Sequence, residues 1–427
     1  MRRFRTFLIA GFFAALLVIA GACGGGGGGG EGGGDTGGGG GGGDLGSLEL
    51  NVGTILPLTG DLAQFGPGME NGGRLAVQQI NACNSMQINA TYEDSGTNEQ
   101  TAATAADKLI NTDNVGAIVG AASSRVSFAV VDPAAQSGVV QISPASTSPD
   151  FTGYEDNGFF FRTVPSDALQ GVVLAQIARD AGYQKVNVIA LNDDYGQGIA
   201  DVFTENFTEQ GGEVGVNVPY DPAGGQAYDS EVQQVSEGNP DAILVVAFPE
   251  TGSSIMQSAA EQGLVGQTPF LFTDGLADPE FPQDAGVDLA GERGTRPATE
   301  GPGAEDFNSA FQEESGSEPG TFSANTYDAV MLAALAAAAG GDTDGQTIQE
   351  NLQAVSEGGS EVLPSDICSG LESAANGDDI NYEGAAGSQN FDENGDVTSQ
   401  YEIWEFNEQG QVSRVELVEP PETSEPQ

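Results

Sequence analysis

The chain has 427 residues, of which 38% are hydrophobic, enough for one large core or two ordinary ones. Lysine and arginine number 12 against 63 aspartates and glutamates, a formal net charge of −51, and such a surface repels nucleic acid and anionic headgroups. Histidine is absent, which excludes a Ser-His-Asp or Cys-His nucleophile and any histidine-ligated zinc.

Arg2, Arg3 and Arg5 precede an apolar run from Phe7 to Ala20, and Ala20-Gly21-Ala22 supplies the small residues of a cleavage site. Residues 1–22 therefore read as a signal peptide, too short for a membrane span. The cysteine that follows, Cys23, resembles the lipidated cysteine of bacterial lipoproteins. That resemblance implies acylation at Cys23 and an anchor to the cell membrane by acyl chains rather than by a helix. Residues 23–47 then form a tether, nearly all glycine from Gly24 to Gly43, which cannot pack a core.

Strand-like and helical runs alternate from there. "LELNVGTIL" (48–56) predicts a strand, 67–82 a helix, "MQINATYED" (86–94) a strand, 98–111 a helix, "VGAIVGA" (115–121) a strand, 124–136 a helix and "GVVQIS" (138–143) a strand. "FFFRTVPSD" (159–167) reads as an extended crossing. The cycle restarts with helices at 166–181, 196–210, 229–236 and 251–263 between strands at 185–191, 212–218, 241–248 and 269–274. "GERGTRPA" (291–298) looks like a second crossing, and helices at 303–315, 322–339 and 345–355 follow. A third crossing falls near Gly387, and "DENGDVTSQYEIWEF" reads as a hairpin turning at Asn394-Gly395. Near-continuous apolar strands alternating with helices predict an α/β fold, with parallel sheets flanked by helices. Three crossings make two lobes: 48–162 plus 297–387, and 163–296 plus 388–418. A disordered tail is expected over 419–427.

Open parallel sheets bind ligands at the carboxyl ends of their strands. Those ends carry Phe65, Ser123-Ser124, the "PAST" turn with Ala145, Ser146 and Thr147, then Tyr195, Phe248 and Asp274. Ser123 and Ser124 stand where a helix begins, so backbone N–H groups and a hydroxyl can receive a carboxylate. The Ala145 carbonyl and the Ser146 and Thr147 hydroxyls offer acceptors to an ammonium, and Asp274 offers it a counter-charge. Each feature alone is more often a cap, a turn or packing. The set suits a zwitterion. Two other motifs fail. "YGQGIAD" (195–201) has Asp201 where a dinucleotide fingerprint needs its third glycine, and "DENGDV" (392–397) has Ile403 where a calcium loop needs glutamate. No cofactor, metal or enzymatic activity is expected. With Cys23 acylated, Cys83 and Cys368 remain, an even pair that predicts one disulfide over two buried thiols.

With "GTILPLTGDLAQFGPGMENGGRLAVQQINA", "ISPASTSPD", "NDDYGQG" and "FDENGD", the chain from about Leu48 to about Phe406 resembles the branched-chain amino-acid-binding proteins, soluble receptors of ABC importers with a two-lobe type I periplasmic binding fold. The resemblance implies that Ser124 binds an α-carboxylate, that Thr147 and the Ala145 carbonyl hold both carboxylate and ammonium, and that Asp274 pairs the ammonium. Tyr195 matches an aromatic of the second lobe. Phe65 and Phe248 stand where relatives often have tyrosines. It further implies a monomer that takes a branched-chain or another small or apolar amino acid and hands it to a permease. An amide, urea or other small polar metabolite on the same fold, a sensory subunit, and an extracellular acid–base hydrolase are the competing readings. For the last, no carboxylate pair stands at a strand end beside a nucleophile.

Overall fold

In the computed structural model the described residues are 45–222 and 227–419. The signal peptide, Cys23 and most of the tether lie outside them, as does the tail from residue 420.

The first lobe begins with β1 (Glu49–Leu56), α1 (Gly66–Ala82), β2 (Gln87–Asp94), α2 (Glu99–Asn111), β3 (Ala117–Gly120), α3 (Ser124–Gln136), β4 (Val140–Ser143) and β5 (Phe160–Arg162). The strands form one parallel sheet in the order β2-β1-β3-β4-β5. β3 and β4 are buried along their whole length, as expected of strands covered on both faces.

The second lobe follows with α4 (Asp167–Asp180), β6 (Lys185–Leu191), α5 (Asp194–Glu209), β7 (Glu213–Tyr220), α6 (Asp229–Val235), β8 (Ala242–Val246), α7 (Pro249–Glu261), β9 (Phe270–Phe272), α8 (Phe281–Ala285) and β10 (Arg293–Pro297). The chain then returns to the first lobe for α9 (Ala304–Ser315), α10 (Ser323–Gly340), α11 (Gly345–Ser356), β11 (Ser360–Val362), α12 (Ile367–Ala375), β12 (Ile380–Gly384) and β13 (Gly387–Ser388). It ends with β14 (Tyr401–Phe406) and β15 (Val412–Val418) on the second sheet, whose order is β15-β14-β10-β9-β8-β6-β7. β14 and β15 run antiparallel and the other pairs within that sheet, apart from β10–β14, are parallel.

Local chemistry explains the joints. Asn98, Ser166, Asp193 and Asp344 cap α2, α4, α5 and α11 by accepting a first-turn N–H. α10 is apolar all round ("VMLAALAAAA") and buried from Ser323 to Ala338, the pattern of a helix enclosed by others. Burying each of its Leu and Met side chains contributes about 1.5–3 kcal/mol. It packs on α1 so closely that a Cβ at Gly72 would lie 2.2 Å from the Ser323 carbonyl oxygen. Cys83, at the end of α1, is bonded to Cys368 on α12, with Cα atoms 5.2 Å apart.

Four readings of the sequence need correction. The stretch 159–167 is not all crossing: Phe160–Arg162 is the edge strand β5, and the passage starts at Thr163. Likewise 291–298 contains β10, a strand of the second sheet. Both strands are short, β5 lies just before Pro165 and β10 ends in Pro297, so turn-forming residues dominated the pattern. The third passage also comes later than Gly387. Phe391 and Val397 still pack in the first lobe's core, whereas Tyr401 packs in the second's. Finally, the hairpin joins β14 to β15 through Asn407–Gln411, where Asn407 Oδ1 accepts from the Gln409 and Gln411 N–H groups. Asn394-Gly395 instead closes a small loop around Asp392, whose Oδ1 accepts from Asn394 and Asp396. That loop aims Asp396 at Arg162.

Candidate functional site

The strand ends of the two lobes face each other across a small cavity, whose solvent-accessible space of about 10 Å³ is about one water molecule's worth. The lobes are closed over it. Gln64 of the first lobe hydrogen-bonds Asp284 of the second, Thr321 Oγ1 donates to the Ala277 carbonyl at 3.0 Å, and core side chains of both lobes join in one cluster.

From the first lobe, β3 delivers the chain to Ser123, which precedes α3 and caps it without a side-chain hydrogen bond. The buried Ser123 hydroxyl has no partner and lines the cavity. Ser124 lines it too, and its Oγ accepts from the Ser148 N–H at 3.2 Å, tying the 144–148 loop to the helix start. Ala145 borders the cavity as well. Ser146 and Thr147, both counted among the candidate residues, do not. The Ser146 hydroxyl turns back to Ser127 Oγ (2.8 Å) and the Ala122 carbonyl (3.2 Å), because those acceptors at the base of α3 are closer than the cavity. Thr147 is fully buried, and its side chain neighbours the carboxyl of Asp167.

From the second lobe come Tyr195 in the first turn of α5, Phe248 ahead of α7, and Asp274 directly after β9. Tyr195 stacks on Phe248, ring centroids 5.4 Å apart. Its hydroxyl donates to Asp274 Oδ1 at 3.0 Å, and Gln170 Nε2 donates to the same oxygen at 2.8 Å. Asp274 is thus fixed in place with an acidic edge at the cavity wall. Burial pushes its carboxyl up to about 6, against the hydrogen bonds from Gln170 and Tyr195. A Cβ at Gly275 would lie 2.5 Å from the Ala247 carbonyl, so only glycine lets this turn approach β8.

Several residues escaped the sequence. Leu62, Met69 and Phe322 join Phe65, which the sequence did mark, in an apolar wall, with Phe65 and Phe322 edge to face at 6.0 Å. Phe322 arrives from the loop before α10, far along the chain, at φ +65°, a conformation that costs a non-glycine residue on the order of 1 kcal/mol. Asp167, at the start of α4, is fully buried behind the cavity, and Gln170 one turn later holds Asp274. Their only sequence signal was an acid after a capping serine, which reads as an ordinary helix start. Among the described residues no group of three His, Cys, Asp or Glu side chains could hold a metal ion, and no helix is long and apolar enough to cross a membrane.

The arrangement offers anion donors on one lobe, a fixed carboxylate on the other and an apolar wall between. Comparison with known proteins adds an independent finding. A sequence profile described as periplasmic binding protein matches residues 49–410. A Leu/Ile/Val-binding protein homolog 2 of Brucella abortus is 29% identical over 307 residues, 69% of this chain and 80% of that one. A leucine binding protein, LivK, of Thermotoga maritima is 26% identical in sequence. Its structure superposes with a TM-score of 0.75 over 87% of this chain and 99% of its own. The branched-chain amino acid transporter substrate binding protein LivJ of Streptococcus pneumoniae, in complex with isoleucine, is 25% identical, with a TM-score of 0.73 over 87% and 100%.

Proposed function

The chain belongs to the periplasmic binding protein family, and from that premise we propose that it is the extracytoplasmic substrate-binding component of an ABC importer, taking an amino acid into its closed cleft. The observation that carries this reading is the opposition of Ser123 and Ser124 at the start of α3 to Asp274 across one cavity. Backbone N–H groups at the helix start and the serine hydroxyls receive the α-carboxylate. Asp274, held by Tyr195 and Gln170, receives the α-ammonium, and the Ala145 carbonyl adds an acceptor. Leu62, Phe65, Met69, Phe248 and Phe322 surround a small or branched apolar side chain. The Leu/Ile/Val in the name of one relative and the isoleucine held by another agree with this class. Closure brings both lobes onto the ligand, and reopening at a permease delivers it.

A thermal-shift panel of amino acids, their amides, urea and benzoate tests the reading. A ligand that binds only the folded state stabilises it by about 2.7 kcal/mol at a hundredfold excess over Kd. Small apolar amino acids are expected to raise the melting temperature, and amides and benzoate to leave it unchanged. A shift with an amide alone would transfer the cleft to uncharged ligands. The N-terminal anchor is a separate part of the proposal, supported by "AGAC" at 20–23. Fatty-acid labelling is expected in the wild type and absent in Cys23→Ala; equal labelling of both would reject the anchor.

A further inference from the structure

A second space opens on the second lobe where β9 and β10 begin, opposite the end of β9 that leads into Asp274. α4 packs on β10 and β14, and the sheet runs one strand further, to β15. A groove lies between α4 and β15, with the sheet as its floor. It holds about 490 Å³ of solvent-accessible space, within the roughly 300–1,000 Å³ usual for small-molecule sites. It shares no lining residue with the cleft.

Ile403 on β14, Val415 and Val418 on β15 and the Tyr183 ring give this groove its apolar surface. Val415 is 42% exposed and is the only exposed large apolar side chain among the described residues. Here it belongs to a shared apolar surface rather than standing alone. The charge on that surface is one-sided. Asp180, Glu292 and Glu416 line the groove, and none of them forms an ion pair among the described residues. The one cation in the lining, Arg293, is held by Glu405 at 3.4 Å. Glu292 is anchored, its Oε2 accepting from the Phe270 N–H at 2.7 Å. Burial pushes its carboxyl up to about 7, and no cation opposes the shift. A partly desolvated carboxylate without a counter-charge is a group that an incoming cation can compensate.

We infer that this groove binds a small amphiphilic cation, an alkyl or aromatic amine whose apolar body lies on Ile403, Val415 and Val418 and whose ammonium meets Glu292. The site does not depend on what the cleft takes. Anions are repelled by three carboxylates, and a zwitterion would bring its own carboxylate against them. Glu292 must be ionised to hold the amine, so affinity is full above its titration and falls as pH falls through about 7. The other charged or titratable groups facing it leave that dependence to Glu292. Burial pushes the Tyr183 phenol up and Glu292 adds to the shift, so the phenol stays neutral. Arg293 remains in its pair with Glu405, and Asp180 and Glu416 are exposed at the groove's edge.

Isothermal titration of the full chain with octylamine, octanol and octanoate, three probes of one length, tests this. At about pH 8 octylamine is expected to bind saturably, one per chain, with octanol roughly tenfold weaker and octanoate unbound. Glu292→Gln is expected to weaken octylamine roughly tenfold. The wild type is expected to lose affinity between about pH 8 and about pH 6, and Glu292→Gln to show no such loss. Val415→Lys places a cation at the groove's open edge and is expected to weaken octylamine too, with an unchanged circular dichroism spectrum. Absence of saturable octylamine binding overturns the site, as do equal affinities for octylamine and octanol. An octylamine affinity that Glu292→Gln leaves unchanged also overturns it, since the amine would then sit in the cleft or spread over the acidic surface.

Discussion

Arg162 is a guanidinium with no solvent exposure, at the point where the chain first leaves one lobe for the other. Its Nε meets Asp396 at 2.6 Å, Nη1 meets the Ser148 carbonyl at 2.8 Å, and Nη2 meets Thr152 Oγ1 at 3.1 Å. One side chain thereby joins β5, the loop carrying Ala145 and the segment of the third passage. Breaking such a buried pair strands a charge rather than merely losing a contact. Asp396→Asn is expected to lower stability by about 3 kcal/mol, the low end of the range for broken buried pairs because the amide oxygen still accepts. Urea unfolding measures it, and an unchanged midpoint at unchanged slope would contradict the role. The sequence hid this residue. "FFFRTVPSD" offers one basic residue amid aromatics and a proline, and nothing in that spacing marks a buried arginine. Asp167 was hidden for a related reason: the groups around it, Thr147, Arg162 and Asp274, come from separate parts of the chain.

At the scale of elements the strands were legible where burial made them continuous. "AIVG", "VIAL" and "AILVV" have no polar interruption, because both faces of each are covered. Their helices were legible from apolar spacing and caps such as Asn98 and Asp193. The shorter edge pieces were not. β5 and β10 each have a proline or a basic residue within a few positions, and their partners lie on other parts of the chain. β11 to β13 and α12 draw their order from docking on α10: Asp328 on that helix accepts from the Tyr382 hydroxyl and from the N–H groups of Ala385 and Ala386, each at 2.8 Å. The cleft was legible at helix starts and strand ends, where Ser123, Tyr195 and Asp274 follow from topology. Phe322 was not, since its loop reaches the cavity from a segment that belongs to no strand end. Ser146 marks the limit of residue type as a guide, because its hydroxyl found closer acceptors at α3 than in the cleft.

For the whole molecule, closing two acidic lobes is an electrostatic problem. All the described lysines and arginines except Arg179 form ion pairs, so few cations are left for the cleft rim. There Asp61 of the first lobe faces Glu250 of the second. Burial pushes its carboxyl up first and Glu250 adds to the shift, with Arg125 opposing. A ligand that brings its own ammonium to Asp274 supplies attraction where the protein supplies repulsion, and that links charge recognition to closure. The central claim is that Asp274 meets a cation. Isothermal titration of the wild type and Asp274→Asn with the amino acid that gives the largest thermal shift tests it most directly. A desolvated ammonium left without its partner should cost on the order of 2–5 kcal/mol, a loss of roughly tenfold to several thousandfold in affinity, with the fold intact by circular dichroism. Equal affinity in the two proteins would contradict the account.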